Sequence, residues 1–112
     1  MPENRQLPRH RKRIRVEFGP EQLVYTGFTE DISTEGFFLK TALVLRPGTV
    51  LQAELHLPDG TLVKLEGRVR WAKKVPPALL RRLKGGMGVK IRQFLTGEIA
   101  YQSYCQELAS RY

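Results

Sequence analysis

The sequence predicts a mainly β fold, a small antiparallel barrel followed by one C-terminal helix. Three observations point to it: apolar and polar residues alternate in several short segments, glycine and proline punctuate those segments, and three- and four-residue apolar spacing begins only near Glu98. At 112 residues the chain has room for one domain. Its 41% hydrophobic and 27% charged side chains match a folded globule and exclude a disordered chain.

Taken in order, residues 1–12 lack apolar periodicity and are dominated by charge, so they are expected to form a flexible basic arm. Ile14, Val16 and Phe18 alternate with Arg13, Arg15 and Glu17, the pattern of a strand with one buried face. Gly19-Pro20 ends it, and Leu23 to Thr29 suits a second strand. Phe37 to Leu39 is a short third. Pro47-Gly48 marks a turn before Val50, Leu51, Ala53, Leu55 and Leu57, and Pro58-Asp59-Gly60 is a hairpin signal. The return strand runs from Leu62 through Trp71, with Gly67 at the place of a bulge or barrel corner. Prolines 76 and 77 suit the start of a short helix before Gly85-Gly86. A last strand spans Gly88 to Phe94. Ile99, Tyr101, Tyr104, Cys105, Leu108 and Tyr112 then describe an amphipathic helix, with Thr96 as its expected cap. The expected organisation is an arm at 1–12, a six-stranded barrel at 13–95 and a helix packed on it at 96–112.

Charge is segregated along this framework. Residues 1–16 hold six basic side chains against Glu3, residues 17–67 hold three against eight acids, and residues 68–92 hold nine with no acid. Two basic blocks flanking an acidic middle suit either nucleic acid or a compact anionic ligand. Little points to catalysis. His10 and His56 have no second ligand at metal spacing, so no metal or cofactor is expected. Cys105 falls on the apolar helix face, where an inert thiol is expected. Gly85-Gly86-Met87-Gly88 lacks the lysine and hydroxyl residue of a phosphate loop. The longest apolar runs are far shorter than a membrane span, and the basic opening lacks the apolar stretch of a secretory signal. Cytoplasmic location without membrane contact is therefore expected.

The informative residues are two runs. In Arg9-His10-Arg11-Lys12-Arg13, arginines stand four apart just before the first strand. Asp31-Ile32-Ser33-Thr34-Glu35-Gly36 reads D-x-S-x-x-G between two strands. Together they resemble, in order, the R-x-x-x-R and [D/N]-x-S-x-x-G motifs of the PilZ domain. Gly67-Arg68-Val69-Arg70-Trp71 resembles that family's G-x-V-x-W strand and Gly86-Met87-Gly88-Val89 its closing G-x-G-V strand. The resemblance implies a PilZ-type six-stranded barrel and, as ligand, cyclic di-GMP, a bacterial second messenger.

The residue types suit that ligand. A guanidinium fork pairs with phosphate oxygens or with O6 and N7 of guanine, and it stacks on a purine face. The resemblance implies Arg9 and Arg13 as that pair. Arg11 with Arg15, and Arg5 with Arg9, are alternative registers at the same spacing. Asp31 matches the N1–H and N2–H₂ edge of guanine, Ser33 offers a hydroxyl, and Gly36 allows close approach or a positive φ. Lys12, Arg11, Arg15 and Trp71 are secondary candidates. The six-residue run also reads as an ordinary Asx or Ser turn. The expected function is a non-catalytic receptor whose arm orders around the ligand and signals to a protein partner. The alternative is a basic barrel binding RNA or DNA through both basic blocks. Against it, Phe18, Phe28, Phe37 and Phe94 occupy expected core positions rather than an exposed stacking face. A further alternative is a protein adaptor without ligand. Whether one ligand or a stacked pair is held stays open.

Overall fold

The computed structural model describes residues 10–110; Arg5, Arg9 and Tyr112 lie outside the described residues. The strands are β1 (His10–Arg11), β2 (Arg15–Gly19), β3 (Tyr25–Ser33), β4 (Gly36–Lys40), β5 (Val50–His56), β6 (Leu62–Lys73) and β7 (Gly86–Thr96), followed by α1 (Glu98–Ser110). All pairings are antiparallel. The order β3-β2-β5-β6-β7-β4 closes through β4 back onto β3, giving a six-strand barrel without a free sheet edge in the ring.

β1 adds to the same edge of β3 that β2 uses. His10 and Arg11 pair with Ile32 and Asp31, and Arg15 to Phe18 pair with Phe28 to Tyr25. Lys12 donates its amide to the Glu30 carbonyl at 3.0 Å. Among the described residues, strand pairing is thus already present at His10.

Alternation places Val16 and Phe18, Leu51, Ala53 and Leu55, Val63, Leu65 and Val69, and Met87 and Val89 in one core, each less than 5% exposed. Burial of each such side chain contributes about 1.5–3 kcal/mol. α1 contributes Tyr101, Cys105 and Leu108 to that core, and the Tyr101 ring lies 5.6 Å from Phe94. Cys105 is free, and burial pushes its thiol up to about 11, as fits an inert core sulfur.

Several expectations need correction. Thr96 is not the helix cap: it ends β7, and the Tyr101 amide bonds to the carbonyl of Gly97, whose φ of 86° turns the chain. Ile99, expected on the apolar helix face, is 82% exposed. The short helix expected at the prolines is present, as a single 3-10 turn, Pro77–Leu79. Phe28 faces outward rather than into the core. β3 also runs through Ser33, four residues beyond its expected end, so Asp31 and Ser33 are strand residues and only Thr34 and Glu35 form the turn. Its cause is a bulge between Thr29 and Asp31. The inward positions shift from Gly27 and Thr29 to Ile32, so the period-2 pattern breaks without the strand breaking.

Candidate ligand-binding face

Residues paired across adjacent strands point to the same side of a sheet. Arg11 pairs with Asp31, Asp31 with Phe38, Phe38 with Gly88, and Gly88 with Trp71. One transverse row on the barrel's outer face thus joins residues from the arginine run, the D-x-S-x-x-G run and the Trp71 strand. At about 4.8 Å per strand, its four steps span about 19 Å. A second row beside it runs from Ser33 to Gly36, Lys90 and Arg68.

The middle of the first row is apolar. Phe38 and Trp71 stack with centroids 5.1 Å apart, and Trp71 remains 46% exposed while Phe38 is covered. Gly88 makes this packing possible, because a Cβ there would collide with the Trp71 indole. From the 74–85 loop, Lys84 places its ammonium 4.8 Å from the Phe38 ring centre and 3.7 Å from a Glu30 carboxylate oxygen.

At the other end, β1 and β2 are interrupted at 12–14, and the break is pinned by one hydroxyl. Thr29 is buried within β3; its Oγ1 donates to the Lys12 carbonyl at 2.5 Å and accepts the Ile14 amide at 2.9 Å. Arg13, freed from strand pairing, lays its guanidinium 3.7 Å from the centre of the Phe28 ring. Arg11, Lys12, Arg13, Phe28, Thr29, Glu30 and Lys40 line a shallow recess of ≈ 380 Å³. Arg11 also meets Glu30 at 3.4 Å. Thr29 was not singled out by motif. Its only sequence signal was a hydroxyl at an inward strand position.

The remaining expected residues divide. Asp31 is half-buried in the row beside Arg11. Ser33 is 4% exposed, with its hydroxyl donating to the Gly36 carbonyl and accepting the Glu35 amide, both at 3.3 Å. In this geometry it holds its own hairpin, the Ser-turn role. Gly36 is explained by close approach, since a Cβ would strike the Val89 carbonyl oxygen of β7. Its φ is not positive, so the expected alternative of a left-handed conformation does not hold. Arg15 pairs with Phe28 on one side and His56 on the other, and its guanidinium turns to Glu17 at 2.9 Å. Beside it, donor atoms of Glu17, Glu54 and His56 lie within 4.8 Å of one another, but Arg15 and Lys64 already meet the two carboxylates. No helix among the described residues is long and apolar enough to cross a membrane.

A closed six-strand barrel packed against one helix, with an arginine-bearing strand paired to the D-x-S-x-x-G strand, defines a class of small β-barrel domain. The PilZ domain profile matches residues 3–103, and the chain belongs to that family. The solved structure of the Bacillus subtilis inhibitor of motility, MotI/DgrA, has the same fold: TM-score 0.78 at 20% identity, over 97% of this chain. The chain spans 52% of that protein's length. No curated protein matches it.

Proposed function

We propose that the chain is a non-catalytic cyclic di-GMP receptor whose ligand lies across the outer-face row. The observation that supports this best is the direct pairing of Arg11 with Asp31 on the row that continues to Trp71, which brings guanidinium, carboxylate and half-exposed indole onto one side of the barrel. Membership of the PilZ family supports the ligand class. Asp31 accepts from the N1–H and N2–H₂ edge of a guanine. Arg13 leaves the Phe28 face to take a phosphate or the opposite guanine edge, aided by Arg9 from outside the described residues. Trp71 offers its exposed face for stacking a purine. Ser33 and Gly36 act by shaping the hairpin and its approach to β7. With ligand bound, the N-terminal segment closes over it and presents a new surface to an effector protein.

Calorimetric titration with cyclic di-GMP, with GTP and a linear dinucleotide as controls, tests this reading. Charge-assisted hydrogen bonds contribute about 1.5–3 kcal/mol each, so Arg13→Ala and Asp31→Asn should each weaken binding by about 10- to 150-fold. Absence of binding by the unaltered protein, or full affinity in both variants, overturns it.

A further inference from the structure

A second cationic site lies next to the row, on β6 and β7. Arg68 stands directly opposite Lys90, a like-charge pair that costs stability across a sheet. Arg70 is the extra residue of the bulge between Val69 and Trp71, and it joins the same exposed side. Arg68, Arg70, Lys90, Ile91 and Arg92 line a recess of ≈ 510 Å³. Arg92 is neutralised by Glu66 at 2.6 Å. Arg68, Arg70 and Lys90 have no acidic partner among the described residues. Three cations are thus gathered on two paired strands, and among the described residues no acidic side chain forms an ion pair with them.

We propose that this recess docks a short acidic segment of a partner protein, whose carboxylates take the two guanidinium forks and the ammonium while its backbone lies over Ile91. Complementary charge is the driving term, and the surroundings limit the length of the occupant. Glu66 stands on one side, and the neighbouring recess that shares Lys90, Ile91 and Arg92 carries Glu35 and Glu98. A duplex polynucleotide carries a phosphate every ~1.7 Å and would run from the three cations onto these carboxylates. Nor does the site present a succession of exposed rings for bases: its lining carries none, and the neighbouring Trp71 offers a single half-exposed face. A segment with a few adjacent Asp or Glu residues fits both the charges and the limits. This docking does not rest on cyclic di-GMP binding.

The test is fluorescence anisotropy on the full chain with two labelled probes, a short peptide of alternating Glu and Ala and a single-stranded oligoribonucleotide, in physiological salt. Reversing the patch (Arg68→Glu, Arg70→Glu, Lys90→Glu) should weaken peptide binding at least about tenfold, the loss of several charge-assisted contacts. A control of equal charge change on the 74–85 loop (Lys74→Glu, Arg81→Glu, Arg82→Glu) should weaken it less than about threefold, the screened effect of net charge. Lys90→Glu alone turns the like-charge pair into an ion pair, so it should fold at least as stably as the parent and still weaken the peptide measurably. The proposal is overturned if the parent does not bind the peptide or if patch and control reversals act equally. Patch-dependent binding that favours the oligoribonucleotide overturns it too. Cyclic di-GMP titration of the unaltered protein reads the ligand face separately, so failure at one site is distinguishable from failure at the other.

Discussion

Thr29 is uncharged and buried, yet the backbone on either side of Arg13 is held by it. Its hydroxyl serves a carbonyl and an amide on either side of Arg13, in the gap where β1 and β2 cannot pair. Valine keeps the branched shape and the β propensity but leaves Lys12 C=O and Ile14 N–H unsatisfied in a covered place. Thr29→Val should therefore cost about 1–3 kcal/mol in urea unfolding, and Thr29→Ser should recover most of it. Equal stability of the Val variant and the parent would sink the stapling role. Ser33 acts similarly: its buried hydroxyl closes a two-residue hairpin. What the neighbouring Asp31 meets across the sheet follows from that closure.

At the level of strands, most of the barrel was legible because alternation survives wherever one face is buried and the other wet. β2, β5 and, as far as Val69, β6 have their inward residues where the period-2 pattern puts them. The pattern failed where bulges reset its phase. β3 continues past Thr29 through such a bulge, so a strand was mistaken for a turn, and the pairing of Asp31 with Arg11 and Phe38 was invisible in the sequence. Phe38 departs from that alternation in another way: it faces outward from β4 yet is covered by Trp71. The motifs named Arg13, Asp31 and Trp71 as candidates, but not the register that puts Arg11, Asp31 and Trp71 in one row. The β6–β7 pair has shifts at three places, and the one at Val69 and Trp71 puts Arg70 and the indole together on the outside. Gly88 is the element's critical residue, because only a missing side chain lets Trp71 lie flat across β7. Gly88→Ala should displace the chain's single tryptophan from Phe38, shifting its fluorescence to the red and costing about 1–3 kcal/mol from overpacking. An unchanged emission spectrum would show that the indole is held by other contacts.

Across the whole molecule, the helix and the candidate ligand face are joined through a phenol and a side-chain amide. α1 packs Tyr101 into the core, and its hydroxyl donates to the Ser33 carbonyl at 2.7 Å, at the base of the hairpin that follows Asp31. One turn face along, the Gln102 amide donates to the Thr34 carbonyl at 3.3 Å. The helix thus has two handles on the hairpin, and through Ser33 and Gly36 the hairpin sets how closely β4 approaches β7. Any motion of α1 caused by a bound partner would be felt at Asp31, and ligand at Asp31 would bias α1 by the same free energy. Tyr101→Phe isolates this coupling, since it keeps the ring against Phe94 and removes only the hydroxyl. The buried Ser33 carbonyl then loses a partner, at a cost of about 1–2 kcal/mol in unfolding. If the phenol anchors the hairpin, hydrogen exchange of the Glu35 amide should quicken by more than that of the Ala53 or Leu65 amides in the barrel wall, and cyclic di-GMP affinity should fall with it. Uniform quickening at all three sites would instead make Tyr101 a general core residue, and the proposed link between helix and ligand face would be lost.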